Sequence, residues 1–401
     1  MFNNQLNMNF FTNYLNIMNQ MNNLQNFGNP MNINMNNAGF NNQFFNPSFF
    51  NMNNPLFLQY LQQMNLMSNS NPPTNNKITE SKPMDLKFCK DLTNDSISFT
   101  VYKSINDNFY LVYSNKNNSI ISYDLIDDKK TIEIKNGHYN EISFLRHYLD
   151  KNNKRDLILS MATDIKVWNC DNFKCLLNLK NIYGNCAFLS SACFIKDLYY
   201  GICIIPTYVG NEHNDKMKTI NLYGNKIKEI NSPNEYALSI ETFYDEKRKI
   251  TYIITTHYQY LKSYDYEKNE LYHIYLDKYN AFDHYNPLIQ KKNEETLLFE
   301  TCNEQIIRIW DFHLGKLIKK IRIYNLYGLR DISFYNDKYL FATCFGKIEL
   351  IDLENEKNST IKEFEGHNQF VKRVKTFCNP KYGKCMLSLD STGTIKLWAN
   401  S

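Results

Sequence analysis

The chain has 401 residues, 21% of them charged, and a formal net charge of +4. That surplus is small for the length, so a strongly electrostatic nucleic-acid binder is not expected. No apolar run approaches the roughly 18 residues of a membrane-spanning helix, and the N-terminus lacks the basic and apolar blocks of a signal peptide.

Residues 1–76 contain no Asp, Glu, Lys or Arg; the first charge is Lys77. The stretch holds 26 Asn, 10 Phe and 9 Met. Asn favours turns and competes poorly for regular structure. With so few branched aliphatics, residues 1–76 are expected to form a disordered, low-complexity tail that self-associates through its aromatic and Met side chains. Inside it, Asn54-Pro55 is a helix-start signal. Phe57, Leu61 and Met64 would then share one face, with Tyr60 alongside. Such a segment could fold into a partner's groove, or it could be compositional drift with no partner. An N-P-x-F pattern at Asn46–Phe49 and Asn54–Phe57 resembles adaptor peptides, but chance matches are expected among so many Asn. Residues 77–83 finish a Pro-containing linker that begins near Ser68.

From residue 84 onward the texture changes to short alternating strands between Asn, Asp, Gly and Lys turns. Seven strand endings carry a bulky residue: Tyr123, Trp168, Tyr223, Tyr264, Trp310, Ile351 and Trp398. Their intervals are 45, 55, 41, 46, 41 and 47 residues. Four strands of about six residues plus turns need roughly 40–45 residues, which is one propeller blade. The ten cysteines include no C-x-x-C pair, so neither a zinc site nor a disulfide framework is expected. Reduced cysteines in a core fit the cytoplasm, or the nucleus.

Three of these units resemble WD repeats. Gly366-His367 opens the last, Ser388 lies on its second strand, and Trp398 closes its third. Gly137-His138, Ser160 and Trp168 repeat the arrangement, and Trp310-Asp311 is the one literal Trp-Asp pair. The resemblance implies an all-β, seven-bladed β-propeller over residues 84–401. It also implies a buried hydrogen-bonded network of His, Ser, turn Asp and Trp in each unit that keeps the motif. The turn Asp of the last unit is replaced by Thr392, with Asp390 nearby, and Asp164 stands where the second unit has a shortened turn. In this family the last blade borrows its outer strand from the N-terminal side. Asp85–Leu92 (DLKFCKDL) is the segment expected to supply it, its alternation of Leu86 and Phe88 against Lys87 and Cys89 fitting an outer strand, and Ser96 opens the first inner strand.

No phosphate loop, nucleophile elbow, H-E-x-x-H motif or paired-carboxylate pattern is present. The expectation is a non-catalytic protein–protein interaction scaffold, with no cofactor and no metal. Two connections exceed the minimum. Pro206–Lys218, with Tyr208, Glu212, His213 and Lys216, is expected on the face of the Gly-His loops, and Tyr148–Asp156 on the opposite face. Each is a partner contact or a neutral insertion. A ubiquitin-ligase substrate receptor is a further reading, weakened because Phe312-His313 follows Trp310-Asp311. A phosphoinositide-binding trafficking propeller is another, weakened because Lys247-Arg248, Lys319-Lys320 and Lys372-Arg373 lack a following Gly. A fourth is condensate recruitment, with the tail driving assembly and the ring selecting cargo.

Overall fold

The computed structural model describes residues 86–400, apart from 181, 183–187, 210–215, 233–236, 278–283, 293, 303–304, 324–328, 356–358 and 380–382. The chain divides into two units, Met1–Glu80 and Ser81–Ser401. The tail, the linker, and Phe57, Tyr60, Leu61 and Met64 lie outside the described residues.

The second unit is all-β and built from repeated antiparallel sheets. β1 (Leu86–Thr93) comes first. The first four-stranded sheet follows: β2 (Ser96–Lys103), β3 (Phe109–Asn115), β4 (Ile120–Asp124) and β5 (Lys129–Ile134). The second is β6 (Phe144–Asp150), β7 (Arg155–Met161), β8 (Ile165–Asn169) and β9 (Cys175–Leu179). The third is β10 (Phe188–Asp197), β11 (Gly201–Val209), β12 (Lys218–Asn221) and β13 (Lys226–Glu229). The fourth is β14 (Ser239–Asp245), β15 (Ile250–Thr256), β16 (Leu261–Asp265) and β17 (Glu270–Tyr275). The fifth is β18 (His284–Lys292), β19 (Glu295–Cys302), β20 (Ile306–Asp311) and β21 (Lys316–Arg322). In each, consecutive strands pair in order.

The remaining strands are β22 (Ile332–Phe334), β23 (Tyr339–Thr343), β24 (Phe345–Asp352), β25 (Thr360–Asn379), β26 (Gly383–Asp390) and β27 (Ile395–Asn400). They form one seven-stranded sheet in the order β1-β27-β26-β25-β24-β23-β22. β25 explains its width. Thr360–Phe370 pairs with β24, and Val371–Asn379 pairs with β26. The corner is at Gly366-His367. Gly366 has φ 144°, and a Cβ there would sit 3.2 Å from Cη2 of Trp398, so a side chain is excluded by backbone and neighbour together.

The core lies between sheets. Leu157 and Leu159 of β7 cluster with Ala192, Phe194 and Ile204 of the next sheet. Phe99 and Leu111 of the first sheet cluster with Leu387 and Leu397. Second strands are therefore covered on both faces, and β7 is buried at every position after its first. This is why RDLILSM reads as an apolar run rather than an alternation.

Six third strands end on an Asx residue: Asp124, Asn169, Asn221, Asp265, Asp311 and Asp352. In each, Oδ1 accepts a backbone N–H from the turn that follows, at 2.8–3.0 Å. This corrects one strand ending. The third sheet's third strand closes on Ile220-Asn221, not on Tyr223. Tyr223 lies in the capped turn, 89% exposed. An aromatic two residues past the cap mimicked a strand terminus.

Both long connections are also corrected. Tyr148–Asp150 belongs to β6 and Arg155-Asp156 to β7, leaving only 151–154 as the turn. The charged ends are bonded inside the sheet. Asp150 accepts from Arg155 Nε at 3.0 Å, while Asp156 takes Nε2 of His147 at 2.7 Å and the N–H of Ile105 at 2.9 Å. Pro206–Val209 completes β11, and Lys218 opens β12.

β1 pairs antiparallel with β27, placing Phe88 opposite Trp398. A register shift follows between Phe88 and Lys90. Leu86 is buried at 1% exposure, but Phe88 is 49% exposed and meets the Trp398 ring edge-on at 5.8 Å.

Candidate functional site

Two of the sheets carry the same polar relay. His367 Nδ1 lies 2.8 Å from Asp390 Oδ2, and its Nε2 lies 2.7 Å from Ser388 Oγ. Trp398 Nε1 donates to Ser388 Oγ at 2.8 Å. The self-consistent proton arrangement runs from Trp398 N–H to Ser388, from Ser388 O–H to Nε2, and from Nδ1–H to the carboxylate. Burial pushes the His367 pKa down, against the pull of Asp390. Burial opposes the Asp390 charge, but bonds from Thr392, His367 and the Thr394 N–H outweigh it and hold that carboxyl low. A neutral imidazole beside an ionised carboxylate is the result.

In the second sheet, His138 Nδ1 lies 2.5 Å from Asp164 Oδ1 and Nε2 lies 2.6 Å from Ser160 Oγ. Trp168 Nε1 donates to Ser160 at 2.7 Å. Asp164 and Asp390 thus occupy the turn position in their respective sheets. All these groups are buried, so their geometry is a satisfied core network rather than a reactive site.

Trp310 is placed differently from the expectation. Its Nε1 donates to Glu300 Oε1 at 3.2 Å, a carboxylate where the other two sheets place a Ser hydroxyl. Glu300 faces Arg308 across the strands, the register that Ser388 and Lys396 hold in the last sheet. Arg308 donates to Asp277 at 2.9 Å, and Lys320 lies 2.5 Å from the same carboxylate. A charged cluster replaces the His–Ser–Asp relay there. Asp311 caps its turn through the N–H groups of His313 and Leu314. In the fourth sheet Thr255 holds the Ser register and its Oγ1 lies 2.9 Å from Nε2 of His257. That substitution has no motif signature, because the His follows the strand instead of preceding the sheet.

Of the four loop residues expected to meet a partner, Tyr208 is buried at 4% exposure within β11. Its neighbour Pro206 kept the segment from reading as a strand. Lys216 is exposed. Glu212 and His213 lie outside the described residues.

First strands are stitched to one another by side chains. Arg146 on β6 pairs with Glu241 on β14 at 2.9 Å and donates to the Ile240 carbonyl at 3.2 Å. Arg373 on β25 donates to Ser98 Oγ at 3.2 Å and to the Phe99 carbonyl at 3.0 Å. Both guanidinium groups stand over the Phe144 ring, at 5.1 and 5.4 Å from its centroid. Asp331 accepts from Asn286 Nδ2 at 3.1 Å and from the Val374 N–H at 2.9 Å. Sequence reasoning did not pick out Arg146 or Asp331, and weighed Arg373 only as half of a basic pair. The signal available was the VKRVK run in an otherwise apolar inner strand.

Among the described residues, no group of three or more His, Cys, Asp or Glu side chains could hold a metal ion. The described cysteines are all free. Burial pushes the thiols of Cys170, Cys203, Cys344 and Cys385 up to about 12, so these four are not thiolates near neutrality. An open cleft of about 650 Å³ is lined by Phe109 of the first sheet and Phe377 on β25, among others. Its Lys103 and Asp107 already pair with each other at 2.5 Å. No described helix is long and apolar enough to cross a membrane.

No protein-family model matches the chain, and no curated protein matches it. A solved structure does: the crystal structure of BBS1N in complex with ARL6DN, soaked with lead. The likeness has a TM-score of 0.57 at 9% identity, covering 77% of this chain and 93% of that one. At that identity it speaks to fold alone, and the shared fold is a β-propeller.

Proposed function

We propose that residues 84–401 form a seven-bladed propeller of the WD-repeat type, and that it acts as a non-catalytic scaffold for protein partners. Three observations support the architecture. The first strands touch in a complete circuit, β2 to β6, β10, β14, β18, β22, β25 and back to β2. β25 serves as the last strand of one unit and the first of the next. β1 supplies the strand beside β27, which removes a sheet edge that would template aggregation.

The observation that carries the functional reading is the likeness to a propeller solved in complex with a protein. The polar clusters of this chain are consistent with it, being buried and mutually satisfied rather than poised for chemistry. An anionic-lipid reading gains less support. Lys247 pairs with Glu294, Arg248 with Asp245, and Lys320 with Asp277. The unmodified thiols suit a reducing compartment, cytoplasmic or nuclear.

Affinity purification of the full chain beside residues 81–401 tests the proposal. Proteins held by both belong to the sheets; those lost with the shorter chain belong to residues 1–80. Failure of both to enrich any protein over a tag control would remove the scaffold reading.

A further inference from the structure

The last first-strand, the second half of β25, differs in charge from its neighbours. It carries Lys372, Arg373 and Lys375 within four residues. Lys372 is exposed, and the other two are half-buried. None of the three has a carboxylate within ion-pair distance among the described residues, whereas Arg146, the comparable arginine on β6, is paired with Glu241. The flanking first strands supply no directly paired carboxylate. β2 has no acidic residue, and Asp331 beside β22 is buried with one oxygen on Asn286 and the other on the Val374 N–H.

Arg373 is held firmly. Its hydrogen bonds go to a hydroxyl and a carbonyl, and its face lies on Phe144. Burial and the nearby Arg146 lower its pKa, against the pull of Asp331. A guanidinium in this setting, without a directly paired carboxylate, leaves its charge only partly compensated. At the corner end of the same strand, Phe370 lies under the guanidinium of Arg330 at 5.7 Å. Phe345, its cross-strand partner, is 59% exposed. Basic side chains therefore run along the strand away from an exposed Phe345 and a half-buried Phe370.

We propose that this strand is a docking lane for an acidic peptide segment of a protein partner, with an aromatic side chain of that segment seated on Phe345 and Phe370. The inference rests on the scaffold reading and names the chemistry of what is scaffolded. Complementary charge steers such a segment and aromatic contact anchors it. Lys372 and Lys375, three positions apart beside a register shift, meet carboxylates spaced along an extended strand of peptide.

Fluorescence anisotropy of the full chain with a labelled Glu-rich dodecapeptide containing one central Phe tests the lane. The expected result is at least roughly tenfold tighter binding than to the Gln-for-Glu counterpart, weakening as salt rises. The double variant Lys372→Glu/Lys375→Glu should loosen the Glu peptide by at least roughly tenfold. Lys372→Gln/Lys375→Gln should fall between, and both variants should keep the wild-type melting temperature. Equal affinity for the two peptides would overturn the proposal, as would unchanged affinity in the reversed variant or no binding at millimolar protein. A single-stranded oligonucleotide or inorganic phosphate that binds better than the Glu peptide would also overturn it. Partners captured equally by wild type and the reversed variant would sink the lane and leave the scaffold reading standing.

Discussion

Ser388→Ala is the sharpest probe of how this sheet is held. The Ser388 hydroxyl is fully buried, accepts from Trp398 Nε1 at 2.8 Å and reaches His367 Nε2 at 2.7 Å. Alanine removes only one atom of modest volume, so packing changes little. It strands two buried polar groups, the indole N–H and the imidazole nitrogen. Each unsatisfied group costs about 1–3 kcal/mol, giving a loss of about 2–6 kcal/mol. That is a large fraction of the roughly 5–15 kcal/mol available to a folded domain. Urea unfolding followed by circular dichroism reads the loss directly. The variant Trp398→Phe supplies the cross-check. In Ser388→Ala/Trp398→Phe the indole donor is gone, so the double variant should be about 1–2 kcal/mol more stable than the two single losses added together. A loss below about 0.5 kcal/mol for Ser388→Ala, or strict additivity with Trp398→Phe, would show that the relay carries no net stabilisation.

Gly393 has φ 103°, and a Cβ there would lie 2.8 Å and 2.9 Å from the Ser96 backbone O and N. Gly393→Ala should therefore cost at least roughly 2 kcal/mol, measured as a shift of the urea midpoint; a midpoint within error of wild type would refute the clash. Burial lowers the pKa of His273, His313 and His367 in the fold. The unfolded chain then takes up protons first, so stability should be flat above about pH 7 and fall below the ordinary His value near 6.5. Asp164 and Asp390, held below their usual range, add a further loss below about pH 4. A melting temperature that stays level from pH 7.5 to 5 would contradict this. A chain beginning at Glu80 should melt as the full chain does. One beginning at Thr93 lacks most of β1 and should aggregate, read by light scattering; an unchanged cooperative melt would argue against the role given to that strand.

The repeat period was legible because strand, turn and cap recur at nearly fixed spacing. Trp168 and Trp398 were legible with their His and Ser because all three sit at motif positions. Asp164 and Asp390 were harder to place, since shortened or altered turns move an acid without moving its function. Tyr223 misled because side-chain type does not report whether a residue lies before or after a cap; Asn221 does, through its bond to the Tyr223 N–H. Tyr208 and Asp156 misled in the same way, since proline and charge read as loop while the fold places both residues in buried strands. The Glu300–Arg308 pair was invisible for a different reason. It substitutes a different chemistry at a conserved register within this chain, and only strand pairing reveals the correspondence. Arg373 and Phe144 lie in separate sheets, and no local pattern reports contact across such a separation.

β25 is a single covalent ribbon that bends at Gly366-His367 and belongs to two neighbouring layers. A load applied to its basic half is carried by the main chain itself into the rim of the adjoining layer, with no side-chain relay required. The bend is pinned by the imidazole on one side and the indole on the other. Tension at Lys372 would accordingly be felt at Thr360, and the two layers would yield together rather than one at a time.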